Sequence, residues 1–205
     1  VLGMAWVAFA GLESLGSALP ALSLNAAVGL VMVVFLLFRA RRLKPSPGQL
    51  GLGAGDHTRS FLVGALTYLF AIPLLFGLTG LWGIVLKACG VTEGQDVAVM
   101  IMASSSKDLI PIALLAAVVI PWIEEMYFRG ALFCWVHKVG GAAWAVVVSS
   151  LFFSVVHGLV AWGVIFVLAL VLSHARLRSR GILACFVIHA MHNGVTVALL
   201  LLQKP

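Results

Sequence analysis

The sequence predicts an all-α fold, a polytopic transmembrane helical bundle of about six to eight membrane segments at about 20 residues per crossing. Three observations predict it. Of 205 residues, 62% are hydrophobic and only 10% are charged. The mean hydropathy is +1.14. The charged residues fall between long apolar runs rather than along one stripe of each. Soluble domains carry about a quarter charged residues, so this composition requires lipid as solvent. The whole chain, residues 1–205, reads as one integral membrane domain.

The elements follow in order. Residues 1–18 are apolar but interrupted by Glu13 and glycines, and read as a short or tilted segment. A span is expected over about 21–38, stopped by Arg39, Arg41, Arg42 and Lys44 and followed by a loop rich in proline and glycine. Residues 61–86 form the next span, with Pro73 as a site of tilt or kinking and with Gly77, Gly80 and Gly83 offering close approach to a neighbour. Residues 87–108, which hold Glu93, Asp96, Lys107 and Asp108, read as an external loop with a partly buried piece. An apolar helical stretch over 109–139 turns at Gly140 and Gly141, and 142–159 returns. Residues 160–175 cross to a basic loop at Arg176, Arg178 and Arg180, and 182–202 is the final span.

The net charge of +6 is therefore topological. The basic runs at 39–44 and 176–180 are expected to be cytoplasmic loops under the positive-inside rule. They are neither spread over a face nor interleaved with exposed aromatics, which argues against nucleic acid as a partner. Cys89, Cys134 and Cys185 are an odd number without a disulfide framework.

Ionisable groups inside spanning segments are costly and need a partner or a task. Glu124, Glu125, Arg129, His157, His189 and His192, together with Asn193, occupy such positions. Counting from the turn at Gly140 and Gly141 at about 1.5 Å per residue puts Glu124, Glu125 and His157 at a common height of about 24 Å. His189 and Asn193 stand roughly 15 and 21 Å above the 176–180 loop, and their i, i+4 spacing gives them one helix face. Glu125 and Arg129 share a face likewise and read as an internal ion pair. Phe153 reads as packing, and His192 as a supporting or core histidine.

A carboxylate and a histidine held in a low-dielectric site can polarise a water as a general base. A second histidine and an asparagine amide can donate to a developing oxyanion. Glu124, His157, His189 and Asn193 are thus catalytic candidates for amide hydrolysis, with Glu125, Arg129, Phe153 and His192 in support. Two histidines and a glutamate could also hold zinc, although the His-Glu-x-x-His arrangement is absent. The residues by themselves leave metal-dependent and metal-free hydrolysis open.

Three motifs in order carry a resemblance. Glu124-Glu125-Met-Tyr-Phe-Arg129 fits Glu-Glu-x-x-x-Arg, Phe153-Ser-Val-Val-His157 fits Phe-x-x-x-His, and His189-Ala-Met-His-Asn193 fits His-x-x-x-Asn. Over about 109–200 the chain resembles the CAAX protease and bacteriocin-processing (CPBP, or Abi) family of intramembrane glutamate endopeptidases. That resemblance implies a metal-free mechanism: Glu124 as base with His157 activating water, and His189 with Asn193 as the oxyanion site. No cofactor is then expected, zinc being the alternative. The expected partners are the lipid bilayer and a membrane-associated protein or peptide substrate. The alternative function is a non-catalytic scaffold or bacteriocin-immunity protein of the same fold. A transporter or proton relay ranks below both, because the polar residues form one cluster and not a track.

Overall fold

The computed structural model describes residues 18–43, 51–52, 56–91 and 101–203, all helices, turns and short connections. Residues 1–17 of the segment expected at 1–18, the loop residues 44–50 and 53–55, and the acidic positions Glu93 and Asp96 lie outside the described residues. Six helical limbs carry the fold: α1 (Ala18–Leu43), α2 (His57–Ala88), α3 (residues 109–140), α4 (142–155), α5 (Leu159–Ser179) and α6 (Leu183–Leu202). Among the described residues four runs are long and apolar enough to cross a membrane: His57–Ala88, Ser106–Val155, Val160–Ser179 and Leu183–Leu202. Many of their large apolar side chains, such as Phe70, Leu74 and Ile84 on α2, face outward, as lipid-facing residues must. This is an integral membrane protein, and its all-α polytopic class is the one its composition predicts.

The run Ser106–Val155 is a hairpin. Gly141 stands at φ +82°, a backbone region that favours glycine, and breaks the helix into α3 and α4. Glu124 lies opposite His157, Phe128 opposite Phe153, and Val136 packs with Ala145. Each of these pairs is centred on the junction of Gly140 and Gly141, so the two limbs run antiparallel in register.

Helix α2 begins at an N-cap, where the Asp56 carboxylate accepts from the backbone N–H groups of Thr58 and Arg59 at 2.8 and 3.2 Å. It packs along α5 and α6, with Tyr68, Leu75, Leu168, Leu172 and Ile188 forming the main core. Its close approach is at Gly64, where a Cβ would stand 2.7 Å from the carbonyl oxygen of Ala184. A Cβ at Gly77, Gly80 or Gly83 would meet nothing within 4 Å. The expectation that these three glycines seat a neighbouring helix is corrected: helix α6 crosses lower, and the three face open space.

Two further positions differ from expectation. Arg176 is not a loop residue, because α5 continues to Ser179 and turns only at Arg180, the one described non-glycine residue at positive φ. Its side chain is buried. His157 lies beyond the last turn of α4, in the reversal made possible by Gly158 at φ +80°.

Gly64→Ala is expected to lower the thermal unfolding midpoint in detergent by several degrees, since backbone cannot yield 0.5 Å or more without opening α2 from α6. Gly80→Ala is expected to leave it unchanged or raise it slightly, by the helix propensity of up to about 1 kcal/mol. Equal losses from both substitutions would contradict this packing.

Candidate active site

The site is built on a short α-helical piece, Ile120–Glu125, between two wider π-helical turns, Leu115–Val119 and Met126–Leu132. A π turn releases backbone carbonyls from the α ladder, and such turns gather at functional sites. Both released regions are claimed by side chains of other helices. Asn193 Nδ2 of α6 donates to the carbonyl of Ala116 at 2.9 Å. Arg176 Nε of α5 donates to the carbonyl of Arg129 at 3.1 Å. The widened backbone is thereby stapled to α5 and α6.

Glu125 is fully buried and its Oε1 accepts twice, from Arg129 Nη1 at 3.1 Å and from His189 Nδ1 at 2.8 Å. Arg129 Nη2 donates in turn to the carbonyl of Ala169 on α5 at 3.3 Å. The expected Glu125–Arg129 ion pair is present, and it also reaches His189. The Arg129 guanidinium lies 4.2 Å from the Phe153 ring centroid, a cation–π contact. Phe153 also meets His157 at 4.4 Å and His189 edge-on at 5.5 Å. Its ring is a wall shared by both histidines, more than inert packing.

Each of those histidines has one nitrogen fixed. His157 Nδ1 donates to the carbonyl of Phe153 at 2.6 Å, as His189 Nδ1 does to Glu125. In each ring the remaining nitrogen, Nε2, faces Glu124: His157 is 3.9 Å from Oε1 and His189 is 3.7 Å from Oε2. These gaps are too long for direct hydrogen bonds. A water about 2.8 Å from both a carboxylate oxygen and an Nε2 fits beside the line joining them. Glu124 and His157 retain 22% and 24% side-chain exposure, so water can reach them, whereas His189 retains 3%.

Of the eight residues singled out in the sequence, Glu124, Glu125, Arg129, Phe153, His157 and His189 form one contiguous cluster. Asn193 stands one turn along α6 from His189 and is engaged with Ala116. His192 points to another side of α6, edge-on to Tyr68 of α2 with ring centroids 6.0 Å apart. Among the described residues no set of three His, Cys, Asp or Glu side chains is arranged as a metal site. Arg176 is the residue that sequence reasoning missed. The available signal was its spacing: it follows Ala169, Leu172 and Ser173 at helical intervals, and all three are fully buried.

Residues 106–195 match the family described as type II CAAX prenyl endopeptidase, Rce1-like. No curated protein and no solved structure matches the chain. The matched stretch spans α3 to α5 and most of α6, including every residue of the Glu124 cluster, and leaves α1 and α2 outside it. Over residues 106–195 the chain is similar to the Rce1-like type II CAAX prenyl endopeptidases, a family of proteases.

Proposed function

We propose that the chain is an intramembrane endopeptidase that hydrolyses a peptide bond of a membrane-associated protein or peptide, with Glu124 and His157 activating the water. The observation that carries this reading is a single carboxylate whose two oxygens each face an imidazole Nε2, while the other nitrogen of each ring is fixed. Glu124 takes a proton from the water as the oxygen attacks the carbonyl carbon, and His157 orients that water through Nε2. The carbonyl oxygen becomes an oxyanion beside Asn193 and His189, whose Nε2 donates to it when the ring carries both protons. Asn193 gives one amide hydrogen to Ala116 and keeps the second for this purpose. Glu124 then returns the proton to the leaving amine as the C–N bond breaks. No covalent enzyme intermediate and no metal enter this scheme, in agreement with the family resemblance.

Glu125 and Arg129 hold the arrangement together without touching substrate. The enzyme works from an integral position in a bacterial inner membrane, with residues 39–44 and 176–180 on the cytoplasmic side.

Three outcomes check the proposal. Glu124→Gln should reduce cleavage of a membrane peptide by a factor on the order of 10² to 10⁴, the usual worth of a general base, while leaving the unfolding midpoint nearly unchanged. Wild-type cleavage in Glu124→Gln would overturn Glu124 as the base, and absence of cleavage by the wild type, with its biological function preserved in Glu124→Gln, would point instead to a scaffold role. Arg129→Ala should lose activity and stability together, by about 3–5 kcal/mol, because the Glu125 charge is left buried without its partner; an unfolding midpoint equal to the wild type would contradict the ion-pair assignment. Dialysis against a strong zinc chelator should leave the rate unchanged. Loss of activity that zinc alone restores would replace the water mechanism with a metal one.

A further inference from the structure

Helix α4 is seated on α3 as far as Phe153, whose ring meets Phe128 edge-on at 5.0 Å and lies under the Arg129 guanidinium. Beyond Phe153 comes the α4/α5 reversal that carries His157, and its own bonds are local. Val156 N donates to the Phe152 carbonyl at 3.3 Å, His157 N to Ser154 at 3.1 Å and Gly158 N to Val155 at 3.3 Å. All three acceptors belong to α4. The corner at Gly158 has no packed side chain, and a Cβ there would meet nothing within 4 Å. The imidazole of His157 also bonds and packs on Phe153, at the end of the same helix. Something outside α4 has to hold this corner if His157 Nε2 is to keep its 3.9 Å separation from Glu124.

Helix α2 reaches the corner from the other side. Trp82 Nε1 donates to the carbonyl of Val160, three residues after His157, at 2.9 Å. The indole occupies the space that a side chain at Gly163 would need: a Cβ there would stand 2.6 Å from Cδ2 and 2.7 Å from Cε3. Trp162 of α5 lies against the same indole with ring centroids 6.0 Å apart, and is itself stacked on Phe166 at 5.8 Å. A glycine seat, an aromatic neighbour and a hydrogen bond thus fix the indole both in place and in rotation. This contact stands apart from the main core of α2. Beyond Leu75 that helix turns Phe76, Leu81, Ile84 and Val85 outward, and Gly77, Gly80 and Gly83 border open space. Apolar burial alone would accept the ring in several rotations, whereas donation of its N–H to one carbonyl selects a single one.

We infer that Trp82 is a positioning residue for the proposed hydrolysis: through the Val160 carbonyl and the Gly163 seat it fixes the reversal that sets His157 against Glu124. It touches no reacting atom. The inference deepens the peptidase reading above and rests on it for the effect on rate, but not for the effect on the reversal. A gap of 3.9 Å between His157 Nε2 and Glu124 Oε1 leaves little latitude for a shared water, and a displacement of about 1 Å from the productive geometry can cost on the order of a hundredfold in rate. Phenylalanine at position 82 would keep most of the apolar contact and lose the hydrogen bond, so the two contributions can be separated.

The test compares W82F and G163A with the wild type, each as the full chain in detergent. Hydrogen–deuterium exchange followed by mass spectrometry should rise several-fold in peptides covering 156–163 and stay at the wild-type level around Tyr68 and Leu75, with the unfolding midpoint nearly unchanged. With a membrane peptide as substrate, kcat should fall roughly tenfold while KM stays within about twofold. G163A keeps the indole but denies it its seat, so it should show the same pattern although alanine is the better helix former. Wild-type exchange over 156–163 in both variants would overturn the inference, and so would a wild-type kcat in both. A lowered midpoint with faster exchange along the whole of α2 and α5 would also overturn it, since Trp82 would then contribute packing alone. G163A carries the test if W82F fails to fold. Exchange needs no substrate, so a failure here is told apart from a failure of the peptidase reading, which Glu124→Gln decides.

Discussion

One buried carboxylate oxygen organises this protein. Glu125 Oε1 binds the guanidinium of Arg129 on its own helix and the imidazole of His189 on α6, and Arg129 continues to the Ala169 carbonyl on α5. Three helices meet at a charge that lipid-like surroundings would not tolerate alone. In a low-dielectric interior an unpaired charge costs several kcal/mol, so the bundle is compelled toward the one packing that pairs it. The geometry around Glu124 follows from that packing. Fixing His189 Nδ1 leaves its Nε2 to face Glu124, and fixing Arg129 places a cation over the Phe153 ring that walls both histidines.

The adjacent glutamates thus divide their work by environment. Glu125 points into the bundle, is fully buried and is paired through Oε1 with Arg129 and His189. Glu124, one residue earlier, turns by about 100° around the helix into a cleft where it faces two imidazoles without a direct hydrogen bond to either. The π turns on both sides make the division possible, because they set the rotation of Ile120–Glu125 independently of the rest of α3. Asn193 and Arg176 hold those turns open by taking their carbonyls.

Much of this was legible in the sequence, for a simple reason. Helical rise is regular, so counting rungs from Gly140 and Gly141 places Glu124 opposite His157, and the structure has them 3.9 Å apart. The motif order also led to His189, which the same counting brings to a similar depth. What could not be read depends on details that composition does not encode. The π turns use the same apolar residues as the α segments around them. Arg176 resembles the neighbouring Arg178 and Arg180 until its helical face is known. Gly77, Gly80 and Gly83 look like a packing stripe, yet the crossing with α6 is set by Gly64, where Ala184 comes within contact distance.

The account's central claim is that Glu124 and the two Nε2 atoms share a water and not a metal. An experimental structure of the protein in lipid, with anomalous scattering recorded across the zinc absorption edge, tests it most directly. The expected result is a water about 2.8 Å from Glu124 and from His157 Nε2, with no anomalous peak there. An anomalous peak bonded to Glu124, His157 and His189 would contradict it, as would an imidazole of His157 turned away from Glu124.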